Sequence, residues 1–211
     1  MGANIGYFTT LLAKLVGKNG KVYSYEANKE VCDLAFFLTN EWVSDIAYVK
    51  NCAVSNKNGF IDFSYQKIHG GKRNDISLSH LKFAGDKTWT TAQVPCVRID
   101  DDLPDLTNVD WLRMDIEGAE ILALSGAKKI IESSPNLKII TEWDVNMMSH
   151  YRDVSKLIDD LHAAGFKFFR LPTMHYKLGQ ELTKHELLTS FFVNVLIIKN
   201  LEQYKQIKNQ L

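Results

Sequence analysis

Apolar residues change period several times along the chain, and each change predicts a new element. Ile5, Phe8, Leu12, Leu15 and Val16 recur at helical spacing, and Gly17 with the KNG that follows stops the run, so a first helix is expected over 4–16. KVYSYE, short and rich in β-branched and aromatic residues, predicts a strand, after which Val31, Leu34, Ala35, Leu38 and Trp42 fall on one helical face. IAYVKNCAV reads as one buried strand. GFIDFSYQ alternates Ile61, Phe63 and Tyr65 with Asp62 and Ser64, as a half-exposed strand does, and QVPCVRI continues the β-rich middle. Between those last two strands lies KIHGGKRNDISLSHLKFAGDKTWTT, a Gly, basic, Ser and His segment too long for an ordinary connection, which reads as a lid.

The second half alternates more regularly. VDWLRMDIEGAEILALSGAKKIIESS predicts a strand running into one helix whose face carries Ile121, Leu124, Ala127 and Ile131, and LKIITEW predicts a buried strand. A helix with Val154, Leu157, Ile158 and Leu161 follows, then the strands FKFFRL and FFVNVLII with no helical period between them. Such alternation argues α/β architecture, a mostly parallel sheet covered by helices, and the last two strands are expected as an antiparallel pair at one end of it.

Composition narrows the class without naming a function. Across 211 residues, 45% apolar and 24% charged residues are those of a soluble globular protein, and we expect a single domain over 1–211 with a β-hairpin and lid-like insertion at about 59–99. Lys plus Arg equals Asp plus Glu at 25 each, which gives no electrostatic footprint for nucleic acid. Cys32, Cys52 and Cys96 are too few and scattered for a disulfide framework, and no apolar run approaches the roughly 20 residues of a membrane span. A cytoplasmic location, away from membranes, is the expectation, and oligomeric state stays open.

Three motifs carry candidate chemistry. In GANIG, Gly2 and Gly6 flank Asn4 at a helix start, where small residues let a backbone approach a ligand and free amides point outward. Glu26 ends the next strand, about 20 residues later, where a carboxylate can hold both hydroxyls of a ribose. Together these fit an adenosine cofactor, either nicotinamide dinucleotide or S-adenosylmethionine. The string Gly2, Ala3, Asn4, Ile5, Gly6 lacks the second and third glycines that the dinucleotide fingerprint places against a pyrophosphate, which favours S-adenosylmethionine. In RMDIEGAE, Asp115 and Glu117 lie at the carboxyl end of a strand, where ligands of open α/β sheets bind; Glu120 sits in a first helical turn, where a carboxylate is favourable with the dipole alone.

GANIGYFT, KVYSYEAN, CAVS, DISLSHL, VDWLRMDIEGAE and IITEW, in this order and at these separations, resemble the FkbM family of S-adenosylmethionine-dependent methyltransferases from Gly2 to about Trp143. The resemblance implies the Rossmann-like sheet of class I methyltransferases, whose end is the antiparallel pair expected above, and most often methylation of an oxygen on a small molecule or sugar. It implies cofactor contacts from Gly2, Ala3, Asn4, Gly6 and Glu26, with Tyr7, Ala53 and Asp115 in the matching motifs counted beside them. Family members carry a hydrophobic strand ending in an acidic residue immediately before GAN. This chain has only Met1 there, so the first strand is missing, and we expect an upstream segment in the native protein, as a gene start placed at an internal methionine would produce.

Methyl transfer to a neutral hydroxyl requires alignment and a base. Candidates for the base are Glu117, Asp115 and His69, with His80 beside it in the lid. Ser77, His80, Glu142 and Asp144 are expected to meet the substrate, with His150 near them, and Lys72 and Arg73 can attract an anionic group. No metal is expected, because no spacing matches a chelating pair. Two other readings stand beside methyl transfer: an NAD-dependent oxidoreductase, and a noncatalytic Rossmann-like interaction module.

Overall fold

The computed structural model describes residues 1–65, 79–81, 90–171, 179–199, 202, 204 and 205. These form two compact units, Met1–Arg98 and Ile99–Leu211.

The first unit runs α1 (Tyr7–Val16), β1 (Val22–Glu26), α2 (Lys29–Val43), β2 (Ala47–Asn51), β3 (Ala53–Val54), β4 (Gly59–Tyr65), β5 (Ser79–Leu81) and β6 (Thr90–Val97). Helix α1 starts at Tyr7 and not at Asn4, because Asn4 and Gly6 hold φ of 50° and 89°, outside right-handed helix space. The Gly6 carbonyl accepts the first helical bond, from the Thr10 amide at 2.9 Å. A parallel ladder joins β1 to β2, Val22 opposite Ala47 and Glu26 opposite Asn51, and α2 makes the crossover between them.

The helix faces depart from expectation. Helix α2 buries Val31, Cys32, Ala35, Thr39 and Val43, while Leu34, Leu38 and Trp42 of the expected face stay exposed. The start of α1 explains the shift. A methyl group on Gly6 would lie 3.2 Å from the Ala35 Cα and from the Thr39 side chain, so the two helices meet where only small residues fit. Ala13, Val43 and Ala47 then form a core with Val22 and Ile46.

IAYVKNCAV is not one strand. At Cys52, whose amide bonds the Lys50 carbonyl at 3.1 Å, the chain leaves the β1–β2 sheet, and β3 pairs in parallel with β6, Ala53 opposite Cys96. Antiparallel β4 joins β6 from Gly59↔Cys96 to Tyr65↔Thr90, giving the order β3-β6-β4-β5. Part of the segment read as a lid is therefore strand: Ser79–Leu81 pairs antiparallel with Phe63–Tyr65 of β4. The remainder of the lid up to Thr90, 67–78 and 82–89, lies outside the described residues.

The second unit runs α3 (Ile99–Asp102), β7 (Trp111–Met114), α4 (Glu120–Gly126), α5 (Lys128–Ser133), β8 (Lys138–Trp143), α6 (Val145–Ser149), α7 (Val154–Ala163), β9 (Lys167–Arg170), α8 (Lys184–Leu188) and β10 (Val193–Ile198). The single helix expected after β7 is interrupted at Ala127, whose φ of −114° leaves the helical range, and becomes α4 and α5. Helices α3, α6 and α8 were not expected. Each spans a turn or so, too short to show a period, although α8 opens on a capping box between Thr183 and Glu186. Strand order is β7-β8-β10-β9, with β7 and β8 parallel and β10 antiparallel to both its neighbours. The expected antiparallel pair of last strands is present, and β10 inserts beside β8. Trp143, fully buried, packs edge-on to Phe168 and donates its indole N–H to the Leu187 carbonyl at 3.0 Å.

The fold is thus mixed α/β, and among the described residues the strands form three small sheets where one mostly parallel sheet was expected. Parallel pairs occur where a helical crossover or long excursion separates the strands, as in β1/β2 and β7/β8; β4/β6 and β9/β10 return antiparallel. Among the described residues no helix is long and apolar enough to cross a membrane.

Candidate functional site

In the first unit the two motifs paired in sequence are also paired in space. Gly2, Asn4 and Gly6, with φ of 71°, 50° and 89°, fold the GANIG segment into a tight loop that glycine makes inexpensive at two of the three positions. Glu26, 22 residues on, accepts the Asn4 amide on Oε2 at 2.9 Å. Its Oε1 accepts the Asn28 amide, also at 2.9 Å. The Ala3 amide donates to the Tyr25 carbonyl at 2.9 Å and completes the tie between loop and strand end. Glu26 is only 8% exposed. Burial pushes its carboxyl pKa up, and the amides of Asn28 and Asn4 oppose the rise.

Two asparagines that sequence reasoning passed over support this arrangement. Asn28 caps α2, its side chain accepting from the Glu30 and Val31 amides, and so aims its own amide at Glu26. Its signal was legible: an Asn directly before an apolar-periodic run. Asn51 donates from Nδ2 to the Glu26 and Ala27 carbonyls at 2.9 and 3.2 Å, a contact set by the β1–β2 register and invisible in the linear chain. Of the remaining residues expected at the cofactor, Ala53 is buried in β3, and Tyr7 points outward, edge-on to Phe8.

In the second unit register builds a carboxylate cluster. Met114 of β7 lies opposite Thr141 of β8, so Asp115 and Glu142 are the next residues at the carboxyl ends of two adjacent parallel strands. Glu117 reaches the same place from the turn after β7, and carboxylate oxygens of all three lie within 4.8 Å of one another. Three oxygens this close can hold a cation, although exposed acidic groups commonly gather without one. Arg113, also missed in sequence, binds Asp115 at 2.7 Å and supplies positive charge beside the cluster. Asp115 remains 42% exposed at its side chain.

Burial first, then the charges of Glu142, Asp115, Glu120 and Asp144, raise Glu117 to a pKa of about 7. Glu142 is raised by burial and by Asp115 and Asp144, with Arg113 opposing. Glu120 is buried beneath them, accepts the Ile116 amide at 2.8 Å and is pushed up to about 7 chiefly by desolvation. Its role is to hold the turn. Asp144 serves α6 as its cap, accepting the Met147 amide at 3.1 Å. His150 closes the same helix. His80 stands in β5 opposite Ser64, while His69, Ser77, Lys72 and Arg73 lie outside the described residues.

The turn that delivers Glu117 is strained. Glu117 itself has φ 54°, rare for a residue with a Cβ, and Gly118 follows at 91°. A methyl group on Gly118 would meet the Met147 Cβ at 2.6 Å. Gly118→Ala therefore adds backbone strain to a clash with α6, and we expect it to lower unfolding free energy by about 2 kcal/mol or more in a denaturant titration.

A scan against protein families matches residues 1–168 to the Methyltransferase FkbM domain. The chain belongs to the FkbM methyltransferase family. The matched span runs past Trp143, where the motif resemblance ends, and includes both the Gly2–Gly6 loop with Glu26 and the carboxylates at the carboxyl ends of β7 and β8. In this FkbM domain the match stops within β9, so α8 and β10 lie beyond it. Comparison with curated proteins and comparison with solved structures each yield no match.

Proposed function

We propose that this FkbM-family methyltransferase transfers a methyl group from S-adenosylmethionine to a hydroxyl oxygen of a small molecule or sugar, as one domain of Rossmann-like class I type acting in the cytoplasm. The observation that carries the reading is Glu117: a carboxylate at a strand's carboxyl end, held by a strained turn, with a pKa of about 7. Such a group is unprotonated often enough at neutral pH to take a proton and basic enough to want it. A loop arginine or lysine cluster for a phosphate is not needed for this chemistry.

The residues present suit the cofactor. Glu26 is an anchored carboxylate whose two oxygens accept the Asn4 and Asn28 amides, with the Ala27 amide also bonded to it, and a carboxylate's roughly four lone-pair sites leave capacity for a ribose hydroxyl. The loop it anchors carries no dinucleotide glycine pattern, in keeping with a cofactor that lacks a pyrophosphate. When bound, S-adenosylmethionine supplies an electrophilic methyl group on a sulfonium. Glu117 would accept the proton that the acceptor hydroxyl loses as its oxygen bonds to that methyl carbon and the carbon–sulfur bond breaks, with S-adenosylhomocysteine as the leaving group. Asp115, oriented by Arg113, and Glu142 keep the surroundings acidic, which sustains the basicity of Glu117.

Calorimetry against S-adenosylhomocysteine and NAD, followed by transfer of labelled methyl to a panel of sugars and small hydroxy compounds, tests the proposal. Binding of S-adenosylhomocysteine with label entering an oxygen-linked product is expected. Binding of NAD alone returns the oxidoreductase reading, and binding of neither returns the interaction module.

A further inference from the structure

We propose that the start of β10 supplies the acceptor subsite, Asn194 hydrogen-bonding the hydroxyls of a neutral sugar ring and Phe192 covering its apolar face, an inference that rests on the reading of Glu117 as base for a hydroxyl. Strand β10 runs antiparallel to β8 and so begins where β8 ends: Val193 stands opposite Trp143, and Asn194 opposite Glu142. Directly opposed residues of an antiparallel pair share a face of the sheet, with Cβ atoms about 4.5–5.5 Å apart. From β7, on the far side of Glu142, Asp115 brings a carboxylate oxygen within 4.8 Å of it. Two carboxylates and an amide from three adjacent strands therefore make one polar row. The Asn194 side chain is exposed, and its backbone is fixed from β9, the carbonyl accepting the Leu171 amide at 2.8 Å.

The row has the chemistry of a polyol site. Carboxylates only accept hydrogen bonds, whereas an amide both donates and accepts, so Glu142 with Asn194 can satisfy neighbouring ring hydroxyls that each give one bond and take another. Phosphorylated or carboxylated acceptors meet the charges of Asp115 and Glu142 unfavourably, which selects a neutral ring. Phe192 adds the apolar half. It directly precedes β10, holds φ 51° and is 69% exposed, so this aromatic is strained in its backbone and gains little from burial in the fold. Its anchor is firm: Ser190 is buried, donates its hydroxyl to the Glu186 carbonyl at 2.7 Å and accepts the Val145 amide on its own carbonyl at 3.2 Å. An aromatic face is electronegative and attracts the polarised C–H bonds that line one side of a sugar ring. Both residues lie beyond the matched 1–168, in the part of the chain left to its own specificity.

Saturation-transfer difference NMR with the methyl glycosides of glucose, galactose and mannose reads the subsite without turnover. Binding of at least one glycoside is expected, strongest at ring C–H protons, and Asn194→Ala and Phe192→Gly are each expected to weaken it about tenfold. Phe192→Gly also relieves the left-handed strain, so its melting temperature should equal or exceed that of wild type while sugar affinity falls. S-adenosylhomocysteine affinity, measured in parallel by calorimetry, should be unchanged in both variants. A wild-type chain that binds none of the glycosides, undiminished binding in either variant, or a Phe192→Gly chain that melts lower overturns the subsite, and methyl transfer still stands if S-adenosylhomocysteine binds. Glycoside binding that both variants weaken, in a chain that binds no S-adenosylhomocysteine, keeps the sugar subsite and removes the methyl-transfer reading instead.

Discussion

Replacing Glu117 by glutamine is expected to lower kcat by about 10²- to 10⁴-fold, the range a positioned base contributes. The substitution keeps size and shape and removes only the ability to accept a proton. Wild-type kcat should rise with pH and level off above about 7, because the carboxylate must be unprotonated to act and its pKa is raised from 4.5 to about 7. In Glu117→Gln that limb disappears, leaving a flat profile over the same window. Asp115→Asn offers an independent check. Asp115 is one of the charges holding the Glu117 pKa up, so its neutralisation should move the limb toward lower pH. A limb that stays at the same pH in Glu117→Gln would assign the titration to another group and remove Glu117 from the reaction.

The same shifts make a stability prediction of fixed sign. Glu117 and Glu120 bind protons more tightly folded than unfolded, both near 7 against an ordinary 4.5. The stability they contribute is fully present below about 4.5 and is lost as pH rises through about 7. Melting temperature should therefore decline across that interval, and less steeply in Glu117→Gln.

What could be read from the linear chain, and what could not, follows from the range of the interactions. β1, β8 and β10 rest on local composition, and all were legible in KVYSYE, LKIITEW and FFVNVLII. The buried face of α2 was not, because it is chosen by contact with Gly6, far away in sequence, and that contact demands Ala35 and Thr39 where periodicity favoured Leu34 and Leu38. The break at Cys52 was hidden for a related reason: whether an apolar run stays in one sheet depends on the partner that each half finds, here β1 and β6. Asp115 and Glu117 were picked out by their place at a strand end and Glu142 as an expected substrate contact, but their mutual approach depends on the Met114–Thr141 register, which the spacing along one segment does not carry. Arg113 and Asn51 escaped because each matters only through a neighbour.

Glu26→Ala is expected to weaken S-adenosylhomocysteine binding by about 100-fold or more in calorimetry, and to lower the melting temperature with it. Two amides, those of Asn4 and Asn28, lose their acceptor together, and an unpaired buried amide costs about 1–3 kcal/mol. Loop and strand end then lose the tie that fixes their spacing, so a ligand spanning them must restore it from its own binding energy. Glu26→Gln separates the two roles. Its single carbonyl oxygen can satisfy one amide but not both, and the negative charge for a ribose is gone; yet the desolvation that raises the glutamate pKa is also relieved, which offsets part of the structural loss. Melting close to wild type with affinity still reduced about tenfold is the expected result, because a neutral acceptor loses the charge-assisted part of each hydrogen bond. If Glu26→Gln bound the nucleoside as tightly as wild type, Glu26 would be a structural tie between loop and strand and nothing more, and the cofactor's ribose would have to be sought at another strand end.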